Sequence, residues 1–273
     1  MRVRRIVPDE LTTTNRHSSW LFVLPGLLLL ILLGLPLIAL FIRAIGVDFL
    51  SYAISETALT ALKLSLFTSL VSVSVSLLIG TPLAYVMARW EFPGKAALQI
   101  LIDLPIVLPP SVAGLALLLA FGRNGVFGGA LMSIGISLPF TTVAVIIAQT
   151  FVSAPLYVRS ASIGFAAIDP QIEEAAHVEG ANQWQLFSRV MFPLARRALA
   201  SGAVITWTRA LGEFGATIMF AGNLEGVSQT MPLAIYLGFE RNLNVAIVLS
   251  VLLVMVSMLM MSLMRKLDGN KIY

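Results

Sequence analysis

Four ionisable side chains fall within otherwise apolar runs of this chain: Lys63, Asp103, Arg209 and Glu213. Charge is costly in hydrocarbon, so such residues pair with one another, line a water-filled path or take part in function. Arg209 and Glu213 are four positions apart, which places them on one helix face within pairing reach. Two readings of that pair stand. It is an intramembrane ion pair tying helices together, or it faces a pathway, where Arg209 attracts an anion and Glu213 keeps the trap shallow enough for release. Thr217 is counted with them as a pathway candidate. Lys63 lies near the end of its run, where a long side chain reaches the interface. Asp103 lies about 10 Å inside its run at 1.5 Å per residue, and its expected partner is a backbone group or Arg209.

Other chemistries lack their residues. There is no cysteine, so disulfides, thiolate metal sites and cysteine nucleophiles are excluded. His17 and His177, the two histidines, have no ligand-type spacing, and no metal site is expected. The runs hold no Ser–His arrangement and no carboxylate pair at catalytic spacing, which argues against an intramembrane enzyme. No Gly-x4-Gly-Lys-Ser/Thr phosphate loop occurs, so the chain has no ATPase site or cofactor of its own to be expected.

The elements that must position these residues are membrane helices. Hydrophobic residues make up 58% of the chain and charged residues 12%, with a mean hydropathy of +0.91; soluble domains are nearer half apolar and a quarter charged. The expected fold is an all-α, polytopic membrane protein with six transmembrane helices, at approximately 19–43, 58–88, 96–121, 139–162, 196–221 and 243–264, each near the ~20 residues a crossing needs. The apolar run from Trp20 to Ile42 is too long for a signal-peptide core and is read as a retained first helix. In the third run Pro105, Pro109 and Pro110 remove amide donors and bend the helix, while Gly114 allows close packing. That bend fits a helix beside a pathway and fits a purely structural kink equally well. "GVFGGALMSIGIS" and "QTMPLAIYLGF" read as re-entrant or surface pieces.

The net charge of +4 does not point to nucleic acid, because the basic residues sit at the ends of apolar runs and form no patch. With a cytoplasmic N-terminus, thirteen of the eighteen basic residues fall on the cytoplasmic side, as the positive-inside rule requires. Both termini and the stretch Ile168–Arg197 are therefore expected in the cytoplasm. The division is a tail 1–18, a permeation domain 19–264 containing a loop 168–193, and a tail 265–273. No inverted repeat is visible, which argues against an ion-coupled secondary carrier.

The loop has its own helix signals. Asp169-Pro170 is a start, with aspartate as N-cap and proline at the first helical position. Glu173 and Glu174 suit the positive end of the dipole, and Ile172, Ala175 and Ala176 share a face. Gly180 is a stop. Asn182 and Gln185 have capping-box spacing, and Trp184, Phe187, Val190 and Met191 line one side of a second helix that Pro193 is expected to break. On these signals alone two readings stand equally: an amphipathic interfacial segment with no partner, or a surface that something outside the membrane uses.

The pattern Glu174-Ala175-Ala176, three residues, Gly180, nine residues, Val190-Met191-Phe192-Pro193 resembles the EAA loop of ABC importer permeases. Val190 and Phe192 stand where that family has Ile and Leu. "LPIVLPPSVAGLALLLAFG" and "RALGEFGATIMFAGNLEGVSQTMPLAIY" are similar to the branch handling molybdate or tungstate, with sulfate and thiosulfate permeases as the alternative. The resemblance spans residues 55–262. It implies a type I permease fold and a coupling helix in which Glu173, Glu174, Ala175, Ala176, Gly180 and Pro193 meet an ATP-binding subunit. Arg209, Glu213, Thr217, Pro109 and Pro110 would be the translocation-path candidates. It also implies a homodimer in a bacterial or archaeal cytoplasmic (inner) membrane, two ATPase copies carrying ATP and Mg, and an external oxyanion-binding protein.

Overall fold

The structure, a computed structural model, describes residues 20–267, with side chains from 23 to 262. The tail 1–18 and positions 268–273 lie outside the described residues, as does His17. The chain forms two units that divide after Val47. The first contributes α1 (Trp20–Ile45), an apolar helix with Pro25 and Pro36 inside it and Arg43 in its last turn. All remaining elements belong to the second unit.

That unit begins with the short α2 (Phe49–Ala53) and the long α3 (Glu56–Arg89). Ser55 starts α3 by accepting the amide of Ala58, and Glu56 and Arg89 complement the dipole at its two ends. The partner of α3 is α7 (Thr142–Ala166), capped by Thr141, whose hydroxyl accepts the Ala144 amide. Their interface is built from small and polar residues. Ser72 donates its hydroxyl to the Ile146 carbonyl and lies 3.1 Å from Gln149 Oε1, and Thr81 and Tyr157 share a bond of 2.6 Å. In a membrane apolar contact does not favour protein over lipid, so small residues and interhelical hydrogen bonds hold helices together. Trp207 Nε1 donates to Ser69, and the Met231 amide donates to Ser65, adding two further elements to the same α3 seam.

The third expected span is two helices, α4 (Lys95–Val107) and α5 (Pro110–Phe121), bent by 116°. Leu108 and Pro109 both have extended ψ values, 135° and 134°, as residues preceding proline prefer. Pro110 then opens α5 at a position where no amide donor is needed. The glycine-rich piece that follows contains α6 (Gly128–Ser133).

After α7 come α8 (Pro170–Val178), α9 (Gln183–Gln185), a π-helix (Leu186–Met191) and α10 (Phe192–Leu211). Here one expectation is corrected. Pro193 does not break the second loop helix, because it stands in the first turn of α10 and the chain stays helical from α9 onward. The π-turn widens the ladder just before the ring, where an ordinary helix would set the residue 189 carbonyl against it. Of the expected apolar side, Met191 is in the core and Phe187 and Val190 pack against it, whereas Trp184 is 73% exposed and Leu186 is buried in addition.

The expected run 196–221 is likewise not one rod: α10 ends at Leu211 and α11 (Gly215–Ala221) follows after a break. The unit closes with α12 (Met231–Arg241), which covers most of the stretch read as re-entrant or surface and runs two residues past it, and α13 (Leu243–Leu267), which continues three residues into the expected tail at 265. Among the described residues four helices are long and apolar enough to cross a membrane: α1, α3, α7 and α13. The bent α4–α5 pair makes a fifth if it counts as one crossing. The core has three parts. One joins α3, α7 and the π-helix–α10 rod, a second joins α5, α7 and α11, and a third joins α3, α12 and α13.

Candidate functional site

The loop forms as its residues dictate. Asp169 caps α8 by accepting the Gln171 amide at 2.9 Å. Gly180 ends it at φ +82°, and the amides of Gly180 and Ala181 close onto the carbonyls of His177 and Ala176, the double-bonded left-handed stop. Asn182 and Gln185 form the full capping box, with both bonds at 2.9 Å. The helix α8 buries no side chain fully. Glu174, Ala175 and Gly180 are exposed, Val178 is 87% exposed, and Ala176 packs toward the α3–α7 core.

Glu173 turns the other way. Its carboxylate lies 2.8 Å from Arg89 Nε at the end of α3, and Arg89 Nη2 donates to the Ile168 carbonyl at 2.6 Å. Beneath the second half of the loop, Phe187 packs edge-on against Tyr85 at 5.2 Å, and Tyr85 packs edge-on against Phe165 at 5.5 Å. Sequence reasoning missed Arg89 and Tyr85. Arg89 read only as a topology charge, and nothing in the linear order pairs it with Glu173.

The pathway candidates gather at the other break. Arg209 Nη1 and Glu213 Oε2 are 2.7 Å apart, so the pair exists. It is not on one helix face, however, because α10 ends at Leu211, between its two members. Glu213 is 1% exposed, and its Oε1 accepts the Ala216 amide at 2.8 Å, fixing the start of α11. Arg209 keeps 33% of its side chain exposed. Thr217, on α11, is fully buried, whereas Pro109 and Pro110 are exposed. Two glycines bring α5 and α11 together: a Cβ at Gly215 would lie 2.7 Å from Pro110 Cβ, and one at Gly114 2.7 Å from the Ala216 carbonyl oxygen. The structure thus joins Pro110, Arg209, Glu213 and Thr217 around one helix break.

Asp103 corrects another expectation. Its Oδ1 is buried without a hydrogen-bond partner among the described residues, and neither Arg209 nor a backbone donor reaches it. Lys63 is exposed. Among the described residues there is no His, Cys, Asp or Glu cluster fit for a metal ion. A cavity of about 400 Å³ lies between Leu118, Arg123, Pro139 and Phe140, apart from the sites above.

Residues 80–271 match the family described as "Binding-protein-dependent transport system inner membrane component". The chain belongs to this family. The permease is therefore a transport component and not an enzyme, and it is a multi-pass protein of the inner membrane. It is 41% identical over 240 residues to the molybdenum transport system permease protein ModB of Mycobacterium tuberculosis, covering 88% of this chain and 90% of the relative. It is 33% identical over 241 residues to the sulfate transport system permease protein CysT of Escherichia coli, covering 87% and 84%. A solved bacterial ABC transporter involved in import of the acidic polysaccharide alginate superposes with a TM-score of 0.76. The match spans 94% of this chain and 96% of that one at 18% identity, and so shows a common fold.

Proposed function

We propose that the permease is the membrane-spanning subunit of an ATP-driven ABC importer that passes molybdate (or tungstate) from an external binding protein to the cytoplasm. In this reading the chain crosses six times, with the broken α10–α11 segment as the fifth crossing, and the excess of basic residues on the side of both termini and the loop 168–193 makes that side the cytoplasm. Two copies of the chain form the path, and two ATP-binding subunits carry ATP and Mg. The observation that carries the coupling role is the loop itself: a short capped helix that exposes the acidic Glu174, the small Ala175 and the apolar Val178, none of them packed into the core among the described residues. Glu173, Ala176, Gly180 and Pro193 shape that helix and its exit rather than its outer face. Similarity at 41% identity along nine-tenths of a molybdenum permease supports the ion.

The path runs past the α10–α11 break. Arg209, a third exposed, attracts the anion there, while the Glu213 carboxylate beside it offsets part of the charge so that binding stays weak. Pro109, Pro110 and Thr217 shape the wall around that point.

The complex with its ATPase and binding protein tests the ion. Molybdate-loaded binding protein is expected to stimulate ATP turnover, and sulfate-loaded protein is not. The reverse result would assign the permease to sulfate or thiosulfate.

A second prediction concerns Gly180. A Cβ there would meet nothing within 4 Å, so only its φ of +82° constrains the residue. Gly180→Val is expected to cost about 1–2 kcal/mol locally, to distort the loop and to prevent copurification of the ATPase from a chain that still inserts. Gly180→Asn, which tolerates the left-handed conformation, should retain it. Equal copurification in all three would refute the docking role.

A further inference from the structure

The coupling helix α8 is joined to its neighbours by a short non-helical turn at each end. Before it lies the short turn Ala167–Asp169, and after it lies Gly180 with its left-handed backbone. No α8 side chain is fully buried, so packing alone fixes its angle poorly. The second half of the loop is held differently, by Leu186, Met191 and the Tyr85–Phe187 contact. A helix that is to move the membrane domain needs a tie of its own.

We infer that Arg89 is that tie: a positioning residue that locks α8 to the ends of both α3 and α7, so that a displacement of α8 moves the two helices together. The inference rests on the docking role proposed for α8. Arg89 is the last residue of α3, and its two contacts straddle the α7–α8 joint. Nη2 holds the Ile168 carbonyl, just past the end of α7, at 2.6 Å. Nε faces Glu173 in the first turn of α8 at 2.8 Å. The rigid guanidinium thus makes one hydrogen bond, through Nη2, and one close ion pair, through Nε, and a lysine ammonium on a flexible stem does not reproduce that fixed pairing. Only 10% of the Arg89 side chain and 21% of that of Glu173 are exposed, so salt screens the pair far less than it does a surface bridge.

This assignment divides two neighbouring acidic residues by role. Glu174 faces outward with the docking surface, while Glu173 faces the membrane domain and connects that surface to α3. Tyr85, one turn before Arg89 on α3, holds the other half of the loop. Loss of Arg89 therefore loosens α8 and leaves the π-helix segment in place.

The test uses the assembled transporter in vesicles with the binding protein and molybdate. In Arg89→Gln the ATPase subunit is expected to copurify as in the wild type, while binding-protein stimulation of ATP turnover falls about tenfold, within the ~5–150-fold range that coupling between sites usually spans. Glu173→Gln should reproduce the loss of stimulation. Because the chain has no cysteine, Arg89→Cys/Glu173→Cys can be bridged by a bifunctional maleimide. The bridge is expected to restore stimulation, and a monofunctional maleimide is not. Wild-type stimulation in Arg89→Gln, or no recovery on bridging, would overturn the inference. A wild-type chain that failed to retain the ATPase would instead sink the docking role. The tie is then still judged by hydrogen exchange on the permease alone, where Arg89→Gln must speed exchange of the α8 amides and spare Leu186–Met191.

Discussion

Arg209→Ala is expected to lower the thermal stability of the purified permease sharply and to abolish transport. Removing the guanidinium leaves a carboxylate that is 1% exposed with one remaining donor, the Ala216 amide. Breaking a buried pair from one side costs about 3–5 kcal/mol, because the surviving charge is neither solvated nor matched. The partial exposure of Arg209 puts the expectation at the lower end of that range. Adding Glu213→Gln removes the orphaned charge, so the double variant should recover most of the lost stability, an interaction far outside additivity. Transport is the separate readout. If Arg209 also meets the anion, the double variant stays inactive despite its restored melting temperature; normal transport by it would leave the pair with a structural role alone.

Gly114→Leu is expected to be the most damaging single change in the α5–α11 contact. Even a bare Cβ would lie 2.7 Å from both the Ala216 carbonyl oxygen and Met219 Cβ, and 2.8 Å from the Ala216 Cα. Two of these three atoms are backbone and cannot turn aside, so the helices must separate. Overpacking a tight interior costs about 1–3 kcal/mol, and a leucine at this distance belongs at the top of that range. The displaced element carries the Glu213–Ala216 cap, so the Arg209 site should be lost with it. Melting temperature and transport should fall together. Gly26→Leu, where nothing lies within 4 Å, is the control and should change neither. A stable, active Gly114→Leu chain would show that the α5–α11 approach is not required.

What the residues reveal in linear order depends on how local the cause is. The caps at Asp169 and Asn182–Gln185 and the stop at Gly180 involve contacts within a turn, and all three form as expected. The ends of α1, α3, α7 and α13 follow from apolar length and match the expected spans to within a few residues. The Arg209–Glu213 contact was also readable from spacing, but the helix end between them was not, because Gly212 and the Glu213 cap compete with continuation. The Pro109-Pro110 pair implied a bend. Its size is set by α11, which the two glycines admit at close range. Pro193 read as a breaker because proline is costly within a helix, whereas a π-turn ahead of it made room. Arg89 and Glu173 come together only after α3 and α7 have packed, and no linear pattern announces such a pair.

The π-helix at Leu186–Met191 has a geometric consequence of its own. The rod from Gln183 to Leu211 is continuous, so its near end, beside the exposed Trp184, and its far end, at the break before α11, turn as one body. Each residue in an ordinary helix advances the side-chain direction by about 100°, and a wider turn delays that advance by roughly one position. The angular phase between the two ends is therefore set by the number of residues between them rather than by their identity. Substitutions along the rod can alter what either end touches, but only an insertion or deletion can re-aim one end against the other.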